Sequence, residues 1–184
     1  VPPSTATAAT TPVPTPIPQQ LVLCSVEPQA VNPFIPSQAG EDLLVLFYEL
    51  PAERVGYQWE ARLLAQVPSL ENGQVLTRTT SVPSGARYAD AAGMVHIHQG
   101  TEALRLPQMI VTFTLQSGLR WSDGQPLTAA DAIFSYHLAQ SPEAHGHWRT
   151  LVERTHRFTA VDDQTLRWEG LPGYLSADYP GLCF

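Results

Sequence analysis

The sequence predicts a mixed α/β fold, and three stretches carry that expectation. Met109–Leu115 (MIVTFTL) alternates Ile110, Thr112 and Thr114 with Val111, Phe113 and Leu115, the period-two pattern of a strand. Ala129–Gln140 follows with helical spacing, Thr128 at its N-cap and Asp131 at the third helical position, where a carboxylate complements the helix dipole. His156–Val161 and Thr165–Glu169 then read as two strands joined by the polar turn Asp162-Asp163-Gln164. The 184 residues suffice for one domain and a tail, and 43% hydrophobic with 15% charged residues fits a packed core.

Residues 1–19 (VPPSTATAATTPVPTPIPQ) hold six of the 17 prolines and no charge, and read as an extended tether. In the polyproline conformation it would span about 55 Å. Composition changes at Gln20, and 20–50 reads as a first strand and helix. Leu21–Val26 is a short apolar run of the kind buried on both faces, broken by Glu27-Pro28 and Asn32-Pro33. Glu41–Leu50 places Leu43, Leu44, Phe47 and Leu50 on one stripe, and Pro51 stops it.

The stretch 51–169 reads as an α+β unit. Trp59–Ala65 is predicted as a short helical turn. Asn72-Gly73 marks a reversal, and Val75–Val82 is a Thr/Val-rich strand. Gly93–His98 alternates, with Val95 and Ile97 opposite His96 and His98. On the helix after Thr128, Ala130, Ile133, Phe134, His137 and Leu138 form the predicted inner face, with His137 a core histidine; Pro142 ends the run. Trp148–Arg154 is a second short helix. Residues 170–184 return toward the first strand, and the apolar close at Leu182-Cys183-Phe184 suggests a piece of a longer chain.

Composition excludes several classes. Acidic groups outnumber basic ones 17 to 10, giving a net charge of -7, and no Lys/Arg cluster offsets it, so nucleic acid is excluded as a partner. No apolar run reaches the roughly 20 residues of a membrane-spanning helix, and the start lacks the basic-then-apolar pattern of a secretory signal. The G-x-S-x-G, H-E-x-x-H, phosphate-loop and dinucleotide motifs are absent, so the reading is not an enzyme and requires no cofactor. Cys24 and Cys183 read either as two buried apolar side chains or as one bridge.

Few residue patterns suggest chemistry. His96 and His98, at i and i+2 on a strand, face the same way and are candidate metal ligands; His145 and His147 repeat the spacing. Trp59, Trp121, Trp148 and Trp168 are candidates for core packing or for lining a cleft.

The segment Phe113–Asp131 (FTLQSGLRWSDGQPLTAAD) resembles the F-x-L-x-x-G-x-x-W-x-D-G-x-P-[LF]-T-A-x-D signature of the family 5 extracellular solute-binding proteins, the peptide- and nickel-binding components of ABC importers. Ile133-Phe134-Ser135-Tyr136 continues the likeness, and Glu27-Pro28 with Asn32-Pro33, Tyr48-Glu49, Leu63-Leu64-Ala65 and Val161–Leu166 agree with other family segments. Residues 77–106 depart from the pattern and look like an insertion.

The resemblance implies a type II periplasmic-binding-protein-like α/β fold, here part of lobe I with an inserted α+β subdomain. It implies a non-catalytic protein outside the cytoplasm, a peptide or other small solute as ligand, and ABC permease subunits as partners. Membrane contact would come only through a lipid anchor ahead of the tether. Trp121, Asp123, Gly124, Pro126, Thr128 and Asp131 are read as structural, with Trp121 and Phe134 packing the turn on the sheet. Glu27 and Asn32, in the loop after the first strand, are the candidate ligand contacts. The alternatives are a self-contained carbohydrate-binding or interaction module and a metal-binding (nickel) protein. A lobe on its own would also expose apolar surface for self-association.

Overall fold

The computed structural model describes residues 48–142, 144 and 146–183, without the side chains of Gly146 and His147. The tether, the Leu21–Val26 strand, Glu27, Asn32, Cys24 and His145 lie outside the described residues. So does the Glu41–Leu50 helix except for Tyr48–Leu50, which are exposed and form no helix.

The elements run β1 (Ala52–Val55), β2 (Gln58–Ala61), β3 (Val75–Val82), β4 (Arg87–Ala89), β5 (Val95–Ile97), β6 (Leu104–Thr114), α1 (Ala129–Ala139), α2 (Gly146–Arg154), β7 (Thr155–Ala160) and β8 (Thr165–Gly170). A 3-10 turn, Tyr179–Gly181, follows. The main sheet is antiparallel in the order β3-β6-β8-β7, with the separate ribbons β1-β2 and β4-β5.

β6 is the longest strand, 11 residues, and holds the centre because its apolar alternation lets it bury side chains between two neighbours. Val75, Val111, Trp168 and Phe158 lie in register across the sheet, on one face. Met109, Phe113, Leu115 and Leu166 complete that face, over which Ala129, Ala139 and Leu151 of the helices close. Trp168 is wholly buried. Burying an indole of roughly 150–250 Å² contributes about 4–6 kcal/mol before entropy is counted. Its Nε1–H donates to the Thr155 hydroxyl at 2.8 Å, and that hydroxyl donates to the Leu151 carbonyl, also at 2.8 Å. Sheet and α2 are thereby joined at the point where α2 turns into β7.

The Met109–Leu115 expectation thus names the core of β6, which begins five residues earlier, at Leu104. The Val75–Val82, Trp148–Arg154 and hairpin expectations match β3, α2 and β7-β8 within a residue or two. Trp59–Ala65 is not a helical turn: Trp59–Ala61 pairs with β1, and Leu64 bridges to Leu115. Cross-strand pairing decides a segment too short for its own sequence to favour a helix.

The inner face of α1 also differs from expectation. Ala129 and Ala139 are buried, and Ala132, Ile133 and Tyr136 pack on the core. Ala130, Phe134, His137 and Leu138 are exposed, Phe134 to 63%, so His137 is not a core histidine. Small alanines let the helix axis approach the sheet, and that close approach selects the alanine-rich side.

The closing segment returns to the start of the described chain. Leu182 and Cys183 are buried with Ala52 in the core, and Trp59 lies against Gly181. At Gly173 (φ +89°) an added Cβ would overlap the carbonyl oxygen of Ala89.

Thr155→Val should leave the buried indole N–H without an acceptor and lower stability by about 1–3 kcal/mol, whereas Thr155→Ser should stay close to the parent. Urea unfolding followed by tryptophan fluorescence checks this. Gly173→Ala should lower the urea midpoint clearly more than Gly124→Ala: both positions have positive φ, but only at Gly173 does the new methyl meet backbone.

Candidate functional site

The signature segment forms the connection from β6 to α1. Arg120 bridges Pro126 in an antiparallel pair. The Trp121 N–H donates to the Gln125 carbonyl at 2.9 Å, and the Leu127 N–H to the Leu119 carbonyl at 3.0 Å. At the tip, Gly124 takes φ +87°, which glycine alone adopts without cost, and the Asp123 carboxylate accepts the Gln125 N–H at 2.9 Å. The Arg120 guanidinium donates to the Gly124 carbonyl at 2.8 Å. The Asp131 carboxylate reaches back to the Thr128 N–H at 2.7 Å, half of a capping box. The Ala129 N–H donates to the Asp163 carbonyl at 2.8 Å, seating the helix start on the β7-β8 turn.

Asp123, Gly124, Pro126, Thr128 and Asp131 therefore shape and terminate this turn. Trp121 does not pack it against the sheet: it is 42% exposed, as Phe134 is exposed on α1. The loop closes on its own backbone, so its aromatic side chain is left at the surface.

The second arrangement lies on the sheet face away from the helices. Arg78 donates through Nε and Nη2 to Gln108 Oε1 at 3.1 and 3.0 Å, and through Nη2 to Glu169 at 3.0 Å. Gln108, buried, donates to the Gly170 carbonyl at 2.9 Å. The Arg167 Nε lies 3.2 Å from the other Glu169 oxygen. The cross-strand register Arg78-Gln108 and Ile110-Glu169 places these groups side by side. A cleft of about 430 Å³ opens beside them, lined by Arg78, Arg87, Gln108, His156 and Pro172 among others. Two arginines face one carboxylate, so the cluster is a set of donors suited to acceptor groups. The Thr155 hydroxyl at the cleft is already held by Trp168 and Leu151. Sequence patterning missed this cluster because Arg78, Gln108, Arg167 and Glu169 come from three strands, and each read singly is a solvent-facing strand position. The available signal was Gln108, adjoining the most apolar run of the chain.

His96 and His98 each have their own partner. His96 Nε2 is 2.8 Å from Asp90 Oδ2, and His98 Nε2 is 2.7 Å from the Glu102 carbonyl. His98 is buried, not an exposed strand histidine, and the Tyr88 ring lies near both imidazoles. Among the described residues no group of three or more His, Cys, Asp or Glu side chains is placed to hold a metal ion. The hydrogen bond from His96, with the Met94 and Ala92 amides, holds the Asp90 carboxyl below its ordinary range. Among the described residues no helix is long and apolar enough to cross a membrane.

A four-stranded sheet with helices on one face, sealed by a returning segment, defines the class: part of a lobe of a type II periplasmic-binding-protein-like α/β fold. The chain superposes with TM-score 0.52 on the oligopeptide binding protein from Thermus thermophilus complexed with pentapeptide, at 19% sequence identity, over 74% of this chain and 19% of that one. Residues 107–171, from within β6 to just past β8, match the model of the bacterial extracellular solute-binding proteins, family 5 Middle. The chain spans about a fifth of the length of the structure it resembles. Among curated proteins none matches the sequence.

Asp90, with its native pKa lowered, carries fewer protons than in the unfolded chain as pH falls. Its contribution is therefore complete above the ordinary value of 3.8 and fades as pH drops through the lower native one. Asp90→Asn should thus be less stable than the parent at neutral pH, and the two should converge in acid. Urea midpoints measured from pH 7 to pH 3 check this; a gap that widens in acid would refute the assignment.

Proposed function

We propose that this chain is part of a non-catalytic, extracytoplasmic solute-binding protein that holds a peptide or similar small solute between two lobes and delivers it to an ABC importer. The observation that carries the reading is the family 5 match on residues 107–171, which falls on β6, α1, α2, β7 and β8, the elements that form most of the core. The bound pentapeptide belongs to the structural neighbour; a peptide is proposed for this chain because fold and family point the same way.

In this reading 20–50 opens lobe I, 51–169 is an inserted α+β subdomain, and 170–184 leads back toward the lobe. Glu27 and Asn32, in the loop after the first strand, are proposed to face the cleft. The Pro/Thr-rich segment 1–19 is proposed as the spacer between the lobe and a lipid anchor, and permease subunits as the partners after closure. A binding protein of this kind needs two lobes and a hinge, and its ligand must contact the closed state better than the open one. Nothing in that cycle requires a nucleophile or a cofactor.

Calorimetric titration of a mixed peptide pool into the 184-residue chain, and into a longer natural protein that contains it, tests the proposal. Heat from the longer protein and none from the chain is the expected result. Absence of heat from both would overturn the peptide assignment. Equal heat from both would overturn the two-lobe cleft and favour a self-contained binding module.

A further inference from the structure

β3 is an edge strand of the main sheet, and its outer side meets no other strand among the described residues. Which of its backbone groups face outward follows from the register. Gln74 stands opposite Thr112, and the Thr112 N–H donates to the Gln74 carbonyl at 2.7 Å. Bonded and non-bonded pairs alternate in an antiparallel ladder, so Leu76, Arg78 and Thr80 turn their N–H and C=O groups toward β6. Thr77, Thr79 and Ser81 turn theirs away from it. The other side of β6 agrees: the Leu115 N–H donates to the Gln164 carbonyl, so odd residues of β6 serve β8 and even ones serve β3. Thr77, Thr79 and Ser81 are exposed, and the strand interior contains neither proline nor lysine, the usual protections of an edge.

We propose that this edge is an interface for a second copy of the chain, the two β3 strands pairing antiparallel about a two-fold axis at Thr79. Other registers also put outward groups face to face, and each is worse. An axis at Arg78 sets two guanidinium groups opposite each other, which is unfavourable. An axis at Thr77 leaves Ser81 facing Gly73, ahead of the strand, and an axis at Thr80 leaves Thr77 facing Pro83, beyond its end. The axis at Thr79 pairs Thr77 with Ser81, Arg78 with Thr80 and Thr79 with itself. Every outward N–H and C=O of Thr77, Thr79 and Ser81 then finds a partner, and no like charges meet. Threonine and serine opposite one another are favourable cross-strand neighbours. The result is one continuous sheet in the order β7-β8-β6-β3-β3-β6-β8-β7. A two-fold contact of this kind closes on itself and stops at the dimer. The inference stands apart from the solute-binding proposal, because it uses only the edge of the sheet.

Light scattering across a concentration series tests it with the parent and its variants. The parent should rise toward twice its monomer mass. Thr79→Pro removes an outward N–H and no hydrogen bond to β6, so it should remain monomeric while its far-UV circular dichroism stays close to the parent. Thr79→Cys should form a symmetric disulfide dimer under mild oxidation, in clear excess over Leu138→Cys, which lies on the exposed side of α1. A parent that stays monomeric at the highest concentration would overturn the proposal. So would a mass climbing past the dimer, an equally dimeric Thr79→Pro, or equal crosslinking at positions 79 and 138.

Discussion

The Trp168 indole is the fixed point of the described structure. It lies at the middle of β8, buried on every side, with one polar group to satisfy. Thr155 supplies the acceptor and passes the hydrogen bond on to the last turn of α2. Gly170 must remain a glycine, because a Cβ there would come within 2.6 Å of the indole ring. Tyr174 packs edge-on against the same ring, and the Arg154 guanidinium lies 5.2 Å from the centre of the tyrosine ring. Sheet, helix and returning segment thus converge on one side chain.

Much of the architecture was legible because β6, β7 and β8 combine strict alternation with sharp polar turns, and because Thr128 and Asp131 mark a helix start unambiguously. The errors have physical causes. Apolar periodicity locates a stripe on α1 but cannot rank two stripes: the bulkier one, with Phe134 and Leu138, reads as inner, although the alanines allow closer packing. Trp59–Ala61 became a strand through its pairing with Ala52–Val55, a contact that no window around Trp59 contains. The arginine–glutamine–glutamate cluster depends on three strands coming together, Arg78 and Glu169 being 91 residues apart. The candidate ligand contacts Glu27 and Asn32 rest on family resemblance alone, whereas the signature turn can be explained residue by residue.

The two faces of the sheet have different characters. One is apolar and closed by alanines and leucines; the other carries Arg78, Gln108, Arg167 and Glu169 around the buried Ile110. A buried face gives the unit its stability, and the charged groups of the other satisfy one another across three strands.

The strand order β3-β6-β8-β7 has a consequence during synthesis. β6 is complete at Thr114, but β8, which covers one of its edges, is not translated until Gly170. At about 5–20 residues per second that delay is roughly 3–11 s. In the interval β3 can pair with β6, but the other edge of β6 lacks its strand. Of the two strands that flank β6, one is thus made before it and the other well after it. The self-closing turn between Arg120 and Pro126 can form in the meantime, a small local anchor from which the helix can begin.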